Sequence, residues 1–356
     1  MKIALLTLTR GSVSGGFRKY LDRLVPLLRQ QVERLDVFVP PQMARGDHLT
    51  WPERDELRGF RELRRSIAAL QPDVVFIPTA RVLRVGDVPV VTMVRNMEPL
   101  EVPFGGNTIV EGVKNVARAA VARAAARRSD RVIAVSNHVR DFLVERWKIR
   151  DERIGTVYHG IDPADERVDP VPEFAGRQFL FTAGSIRPAR GLEDVITALA
   201  AAPRELQLAI GGTVDRGAEH YAAKMKRLAS DLGVAPRITW TGQLDARQMA
   251  WFFRNAFAFV MTSRAEACPN TVLEAMANGA VSISTDHPPM PEFYADAAVY
   301  YRERDAADLA RCINALAENE RQRLSARARD RARDFTWAAT ARNTITELQR
   351  AVELAR

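Results

Sequence analysis

The sequence predicts an α/β protein with two doubly wound domains that face each other across a cleft. Three observations support this fold class. The 356 residues exceed what one hydrophobic core usually serves. Short Val- and Ile-rich runs alternate with longer amphipathic segments, which is typical of parallel strands covered by helices on both faces. The alternation stops once and then starts again, so two domains of the same build are expected.

The first predicted domain, residues 1–165, holds five strands. They are the apolar runs at 3–8, 35–40, 73–78, 88–94 and 131–136. The amphipathic segments between them predict four helices. One starts at Phe17, two span about 53–70 and 107–129, and the fourth follows the strand at 131–136 and ends near Trp147.

A linker is expected at 160–178, which is rich in proline and acidic residues and has no apolar periodicity. The second predicted domain, residues 175–335, follows it. Its strands are expected at 179–184, 206–212, 237–242, 256–263 and 280–285, and the chain ends in helices near 305–317, 319–334 and 337–354. Ligands of such sheets bind at the carboxyl ends of the strands, so a site in the cleft is predicted.

The charge is uneven along the chain. Of the net +8, residues 1–165 carry +7 (27 Lys and Arg against 20 Asp and Glu), and the remainder carries +1 (25 against 24). Acidic substrates, anionic membranes and nucleic acid all suit a basic surface. No zinc-finger, helix-turn-helix or RNA-binding signature accompanies the charge, so no nucleic-acid partner is expected.

Location and metal binding are predicted from what the sequence lacks. No apolar run is long enough for a membrane span, and the apolar opening is interrupted at Arg10, too early for a signal peptide. We therefore expect a cytoplasmic protein. Two cysteines are too few for a disulfide framework, and no Asp-x-Asp or His cluster suggests a metal.

The stretch SRAEACPNTVLEAMANG, residues 263–279, follows a predicted strand and opens a helix expected at about 269–278. The backbone amides of Asn270, Thr271 and Val272 would then form an anion site at the helix start. Glu266 and Glu274 could bind sugar hydroxyls on either side of a diphosphate. Alternatively, Glu274 lies on a solvated face and Glu266 is a loop charge, which the spacing alone favours.

Two cations follow the first strand of the second domain, in AGSIRPARG at 183–191. Arg187 and Arg190 flank a Pro-Ala step, and the guanidinium fork suits phosphate oxygens. The alternative is that both are exposed loop arginines.

Three further loops carry weaker signals. RGSVSGGFRKY, residues 10–20, places Gly15 and Gly16 at a helix start but matches neither the dinucleotide nor the P-loop pattern. Gly212 in IGGTVDRG and Gln243 in TWTGQLD could form the walls of a base pocket. Ordinary turns between strand and helix remain the alternative for all three.

Together these motifs resemble retaining glycosyltransferases of the GT-B fold, family 4. The matching residues are Glu266 and Glu274 as an E-x7-E motif, the loop GSIRPARG, the SGG loop, VYHGID at 157–162 and MPEFYADAAVYY at 290–301. The resemblance covers nearly the whole chain. It implies transfer of a sugar from a nucleotide-diphosphate sugar to a hydroxyl acceptor, with no cofactor beyond that donor and no metal.

The resemblance also implies roles for single residues. Glu274 would bind the ribose and Glu266 the transferred sugar. The amides around Asn270 and Thr271 would hold the diphosphate or the sugar. Arg190 stands where the family usually has a lysine, and Arg187 would replace an arginine whose usual position is occupied here by Ser185.

Other implied contacts lie in the first domain and at the base. Gly15 and Gly16 match a loop over the diphosphate, and Gln243 lies where the base is contacted through backbone. Arg95 and Asn96 stand where many relatives have a histidine, so one of them is expected to contact the sugar or acceptor. Residues 336–356 would cross back to the first domain.

Three alternatives stay open. A nucleotide-sugar epimerase or a non-catalytic nucleotide-sugar binding protein would use the same constellation. The basic residues Lys114, Arg118, Arg123, Arg127 and Arg128 share one helix. A solvated basic face is the favoured interpretation of that helix, and a peripheral contact with anionic lipid or an acidic acceptor is the alternative.

Overall fold

A computed structural model describes residues 1–8, 15–50, 56–102, 104–164 and 167–355. Its contacts divide the chain into two compact units. The first contains 1–96, 117–160 and 336–356, and the second contains 97–116 and 161–335. The sequence had counted 97–116 with the first domain, whereas the structure groups this segment with the second unit.

The first unit is built on one parallel sheet of seven strands. They are β1 Lys2–Leu6, β2 Arg34–Val39, β3 Leu49–Thr50, β4 Val74–Ile77, β5 Val90–Val94, β6 Arg131–Ala134 and β7 Ile154–Thr156. Their order is β3-β2-β1-β4-β5-β6-β7, and each strand runs parallel to its neighbours. Buried valine, isoleucine and leucine side chains cover the central strands, as continuous apolar runs predict.

The second unit repeats this design with six parallel strands. They are β8 Phe179–Ala183, β9 Gln207–Gly211, β10 Ile238–Gly242, β11 Ala258–Met261, β12 Ser282–Thr285 and β13 Val299–Tyr301. Their order is β10-β9-β8-β11-β12-β13, which is the doubly wound order 3-2-1-4-5-6. The order reverses between β8 and β11, which pair through Ala258 with Leu180 and Phe259 with Phe181.

Helices connect the strands in both units. They are α1 Gly15–Arg29, α2 Glu56–Ala69, α3 Glu98–Glu101, α4 Ile109–Arg128, α5 Asn137–Glu145, α6 Leu192–Ala200, α7 Glu219–Asp231, α8 Ala246–Asn255, α9 Asn270–Ala277, α10 Met290–Tyr294, α11 Ala306–Ala315, α12 Glu318–Ala332 and α13 Trp337–Ala355. Among the helices of the described residues, none combines the length and apolar character that crossing a bilayer requires.

The two doubly wound α/β domains predicted from the sequence are confirmed. The helix expected at about 269–278 is α9, which the structure places at Asn270–Ala277. Three strands were not predicted, namely β3, β7 and β13. Each has only two or three residues, which is too short for an apolar run to stand out.

Candidate functional site

The strand ends at the order reversal of the second sheet carry three of the charged residues singled out by sequence. Arg187 and Arg190 follow β8, and Glu266 follows β11. Because β8 and β11 are parallel neighbours, their carboxyl ends lie at the same edge of the sheet. Such a switch point is where open α/β sheets bind ligands.

Backbone and side-chain hydrogen bonds join the two loops at this switch point. The amide of Arg264 donates to the carbonyl oxygen of Ala189 at 2.8 Å. The Thr262 hydroxyl donates to the carbonyl oxygen of Arg190 at 2.7 Å. The loop after β8 and the loop after β11 are therefore held in one fixed arrangement, which is what a preorganised site requires.

Arg190 is a buried cation with incomplete pairing. Its Nη1 donates to the Ser263 hydroxyl at 2.9 Å and lies 3.4 Å from Glu266 Oε1. The side chain is 9% exposed. Burial lowers the pKa of Arg190, although the Glu266 carboxylate acts in the opposite direction. Its Nε is buried without a hydrogen-bond acceptor, and its carboxylate ion-pair partner, Glu266, is at the limit of hydrogen bonding, so the guanidinium can accept a closer anionic oxygen.

A glycine is required beside Arg190. A Cβ at Gly184 would lie 2.2 Å from the Arg190 Nη2 atom, and Gly184 has φ +135°. Gly212 packs against Gly184, since a Cβ at position 212 would lie 2.0 Å from the Gly184 carbonyl oxygen. The sequence singled out Gly212 for a base pocket, and the structure shows that it allows two strand ends to approach closely.

Arg187 lies between two carboxylates. Its Nε is 3.3 Å from Glu98 Oε2, and its Nη1 donates to Asp215 Oδ2 at 3.2 Å. Burial alone would lower the pKa of Arg187. The nearby carboxylates, first that of Glu98, reverse this effect, so the pKa is raised. Of the two arginines at this strand end, Arg190 is buried and Arg187 is partly exposed, and the contact of both with phosphate stays a prediction.

Sequence reasoning missed Glu98 and Asp215. Glu98 begins the short helix α3, and its side chain is only 13% exposed. The pKa of Glu98 is raised chiefly by burial. The Arg187 cation acts in the opposite direction, and the negative charges of Asp215 and Glu266 add to the rise. Asp215 stands in the IGGTVDRG loop that the sequence did single out. No spacing rule links Glu98 to that loop, so only the fold brings them together.

The start of α9 differs from the expectation in one respect. The amides of Val272 and Leu273 both donate to the Pro269 carbonyl oxygen, at 3.0 and 3.2 Å. The prediction that the Val272 amide is available to an anion is therefore wrong, because the first turn of the helix already uses it. Asn270, Thr271 and Glu274 are each partly exposed, so Glu274 does not lie on a fully solvated face.

The remaining second-unit residue singled out by sequence is Gln243, which follows β10. Its side chain is exposed, and its Nε2 donates to the Leu244 carbonyl oxygen at 3.2 Å. Gln243 follows β10 and Gly212 follows β9, and these parallel strands are neighbours, so both residues lie at the same edge of the sheet. The Gly212 amide donates to the Gly242 carbonyl oxygen at 2.7 Å. The contact of Gln243 with a base stays a prediction.

In the first unit, Gly15 and Gly16 open α1, while residues 10–14 of the same loop lie outside the described residues. A Cβ at Gly15 would meet nothing within 4 Å, so packing does not demand this glycine. The Arg95 guanidinium carbon lies 4.5 Å from the centre of the Phe17 ring, an arrangement that stabilises the cation. Asn96 is exposed. The expected contacts of these four residues with a ligand stay predictions.

The cluster at the β8–β11 edge can bind an anionic group. It holds two guanidinium groups beside three carboxylates, those of Glu98, Asp215 and Glu266. Guanidinium groups can exchange such partners for phosphate oxygens without losing their charge. Among the described residues, no group of three or more His, Cys, Asp or Glu side chains is arranged to hold a metal ion.

Two family models match adjoining parts of the chain. Residues 14–165 match the model described as Glycosyltransferase Family 4, and residues 165–334 match the model described as Glycosyl transferases group 1. The boundary between them falls near the linker expected at 160–178.

Curated relatives are moderately similar. A D-inositol 3-phosphate glycosyltransferase of Frankia alni is 28% identical over 244 residues, covering 63% of this chain and 60% of the relative. A mannosylfructose-phosphate synthase of Agrobacterium fabrum is 27% identical over 241 residues, covering 62% of this chain and 52% of the relative. The matched stretch thus spans little more than half the length of these relatives.

Solved structures share the fold over almost the full chain. Anabaena HepE in complex with UDP superposes with a TM-score of 0.78 at 17% identity, covering 98% of this chain and 100% of HepE. A sucrose-phosphate synthase of Thermosynechococcus elongatus gives a TM-score of 0.74 at 19% identity, with 100% of each chain covered. The family models and the fold together support a GT-B glycosyltransferase of the group 1 and family 4 type.

Proposed function

We propose that this chain, whose two halves match glycosyltransferase family models, is a retaining transferase that moves a sugar from a nucleotide-diphosphate sugar to a hydroxyl acceptor. One observation supports the donor class above all. Arg190 is a buried, incompletely paired cation at the switch point of the second sheet, with Arg187 beside it. A diphosphate oxygen would give the Arg190 guanidinium a closer acceptor than the Glu266 carboxylate, which lies 3.4 Å away.

In the proposed reaction the protein stabilises the charge that develops on the diphosphate, and no side chain acts as a nucleophile. As the bond between the sugar C1 and the phosphate oxygen breaks, positive charge develops on the sugar and negative charge on the diphosphate. Arg190 and Arg187 stabilise the diphosphate. The acceptor hydroxyl attacks C1 from the same face, and its proton passes to the leaving phosphate oxygen.

The other assignments rest on the resemblance and on the position of the residues. Glu266 binds the transferred sugar and Glu274 the ribose hydroxyls, since carboxylates accept hydrogen bonds from hydroxyl pairs. The amides at Asn270 and Thr271 contact the diphosphate, while Gly212 and Gln243 border the base. No metal takes part in this scheme, so EDTA leaves the rate unchanged. The enzyme acts in the cytoplasm.

The test measures release of the nucleoside diphosphate with and without acceptor. A thermal-shift screen with UDP-, GDP-, ADP- and dTDP-sugars first identifies the donor, because a ligand that binds the folded state raises Tm. UDP-sugars come first, since the superposed HepE structure contains UDP. We expect acceptor-dependent release of the diphosphate.

Each alternative predicts a different result in the same assay. An epimerase converts the donor sugar with no acceptor present and releases no diphosphate. A binding protein raises Tm with the donor but turns nothing over. Either outcome would replace the proposed transferase activity.

A further inference from the structure

Among the described residues, most of the exposed large apolar side chains lie along α4 and in the segment just before it. Ten large hydrophobic residues are exposed in the described chain, and six of them fall within 104–121. They are Phe104, Ile109, Val110, Val113, Val116 and Val121, with exposures from 45% to 79%. The other four are scattered singly, as is normal for a protein surface.

The five aliphatic residues recur at helical spacing, so they form one stripe along α4. This stripe is not the side by which the helix packs onto the protein. Ala122, Ala125 and Ala126 are at most 8% exposed and lie on a different face. The helix therefore has two apolar faces. The face with the three alanines is buried against the rest of the protein, and the face with the stripe is exposed.

Phe104 extends the stripe at the start of the helix. A Cβ at Gly112 would lie 2.1 Å from the Phe104 ring, so the ring rests directly on the helix backbone. The ring nevertheless remains 53% exposed. An aromatic ring held in this way presents a rigid apolar surface to the outside.

Cations border the stripe. With about 100° of rotation per residue, Lys114 and Arg118 fall on one side of it and Arg123 on the other. Arg127 and Arg128 follow at the end of the helix. Glu111 is the only acidic residue of α4, and Lys114 lies 3.4 Å from it. The helix thus carries five cations against one anion.

We propose that α4 docks on the surface of an anionic lipid bilayer, with Phe104 and the aliphatic stripe in the headgroup region and the flanking cations on the lipid phosphates. An apolar stripe bordered by basic residues is the pattern that binds such a surface. A second copy of the chain fits less well, because it would bring the same positive charge to the contact. Nucleic acid offers no apolar surface to match the stripe.

Co-sedimentation with vesicles tests the proposal on the full chain. Wild type should bind vesicles of phosphatidylcholine mixed with phosphatidylglycerol and should not bind phosphatidylcholine alone. The charge-reversal variant Lys114→Glu/Arg118→Glu/Arg123→Glu should lose about a hundredfold or more in affinity. The variant Ile109→Ser/Val110→Ser/Val113→Ser should lose binding at high salt as well as at low salt.

Matched controls are available on other helices. Leu354→Ser removes an apolar side chain that is 69% exposed on α13, and Arg323→Glu reverses a cation that is 62% exposed on α12. Both should bind vesicles like wild type. Circular dichroism melting verifies that each variant is folded.

Three results would overturn the proposal. The first is wild-type protein that ignores anionic vesicles, and the second is an α4 variant that binds them unchanged. The third is a dimer that the stripe variant dissociates, measured by light scattering, which would make the stripe an interface between copies. Donor-induced thermal shift is measured in parallel, so a failure of the transferase proposal remains distinguishable from a failure of docking.

Discussion

Two arginine–carboxylate pairs lie near the β8–β11 edge of the second unit, and they differ in how closely the arginine and the carboxylate approach each other. Arg264 meets Asp194 through both ends of its fork, at 2.7 and 2.6 Å, and both side chains are 5% exposed. Arg190 meets Glu266 through one nitrogen at 3.4 Å, and Glu266 is 19% exposed. The first pair has the geometry of a buried structural contact, and the second leaves a cation that still attracts an anion.

The pKa directions agree with this difference. Burial would lower the pKa of Arg264, but the hydrogen bonds to Asp194 outweigh it and the pKa is raised. For Arg190 burial prevails, and the pKa is lowered. Two buried arginines in loops at the same edge of the sheet thus differ in how closely a carboxylate of the protein pairs with them. We infer that the closer pair holds the loops, while the other is available to a ligand.

Breaking the structural pair should have the largest effect on stability. Asp194→Ala removes the bidentate partner of the buried Arg264 guanidinium, although Glu193 remains 3.8 Å away, and it also removes the acceptor of the Tyr301 hydroxyl, 3.0 Å away. We expect a loss of about 3–5 kcal/mol in the free energy of unfolding, measured by urea denaturation.

The control for this variant is Asp330→Ala. Asp330 pairs with Arg333 at 3.1 Å, but the two side chains are 71% and 79% exposed. Its loss should cost under about 1 kcal/mol. Equal effects of the two substitutions would show that Arg264 and Asp194 are not a structural pair in solution.

Removing the other arginine should affect turnover more than folding. Arg190→Ala deletes the proposed diphosphate contact, and we expect kcat to fall by about 10²–10³. Its loss of stability should be smaller than that of Asp194→Ala, because Glu266 remains partly solvated. Arg190→Lys keeps the charge and should recover much of the rate.

Arg323→Ala serves as the control, since Arg323 is 62% exposed on α12. It should leave kcat unchanged. A rate for Arg190→Ala within about threefold of wild type amounts to less than 1 kcal/mol of lost stabilisation. That result would remove Arg190 from the proposed mechanism.

This comparison also shows which parts of the site could be predicted. Arg187, Arg190 and Glu266 stand in loops directly after apolar strands, so their position at one sheet edge follows from local patterns and parallel pairing. Arg264 lies in the stretch 263–279 together with Glu266, yet no local sequence pattern shows that its partner is Asp194 on α6. Glu98 could not be found at all, because its contact with Arg187 depends on how the 97–116 segment packs.

The backbone amides at the start of α9 also show what a sequence pattern does not predict. Pro269 and Gly279 correctly predicted the ends of the helix. The prediction for the Val272 amide failed because it assumed a regular α-helical first turn. In the structure this turn closes early, with a bond from Val272 to Pro269. Hydrogen bonding of single groups depends on such details of the backbone, which spacing does not encode.

The smallest expected effect concerns Glu98, whose raised pKa means that the folded protein holds its proton more tightly than the unfolded chain does. Stability therefore falls as the pH rises from the usual carboxyl range through the raised pKa. Glu98→Gln removes this cost, so it should melt above wild type at neutral pH, and the difference should vanish in acid. Asp330→Asn, at an exposed position, should show no such convergence. A variant that melts below wild type at neutral pH would mean that the ion pair with Arg187 outweighs the burial of the carboxylate.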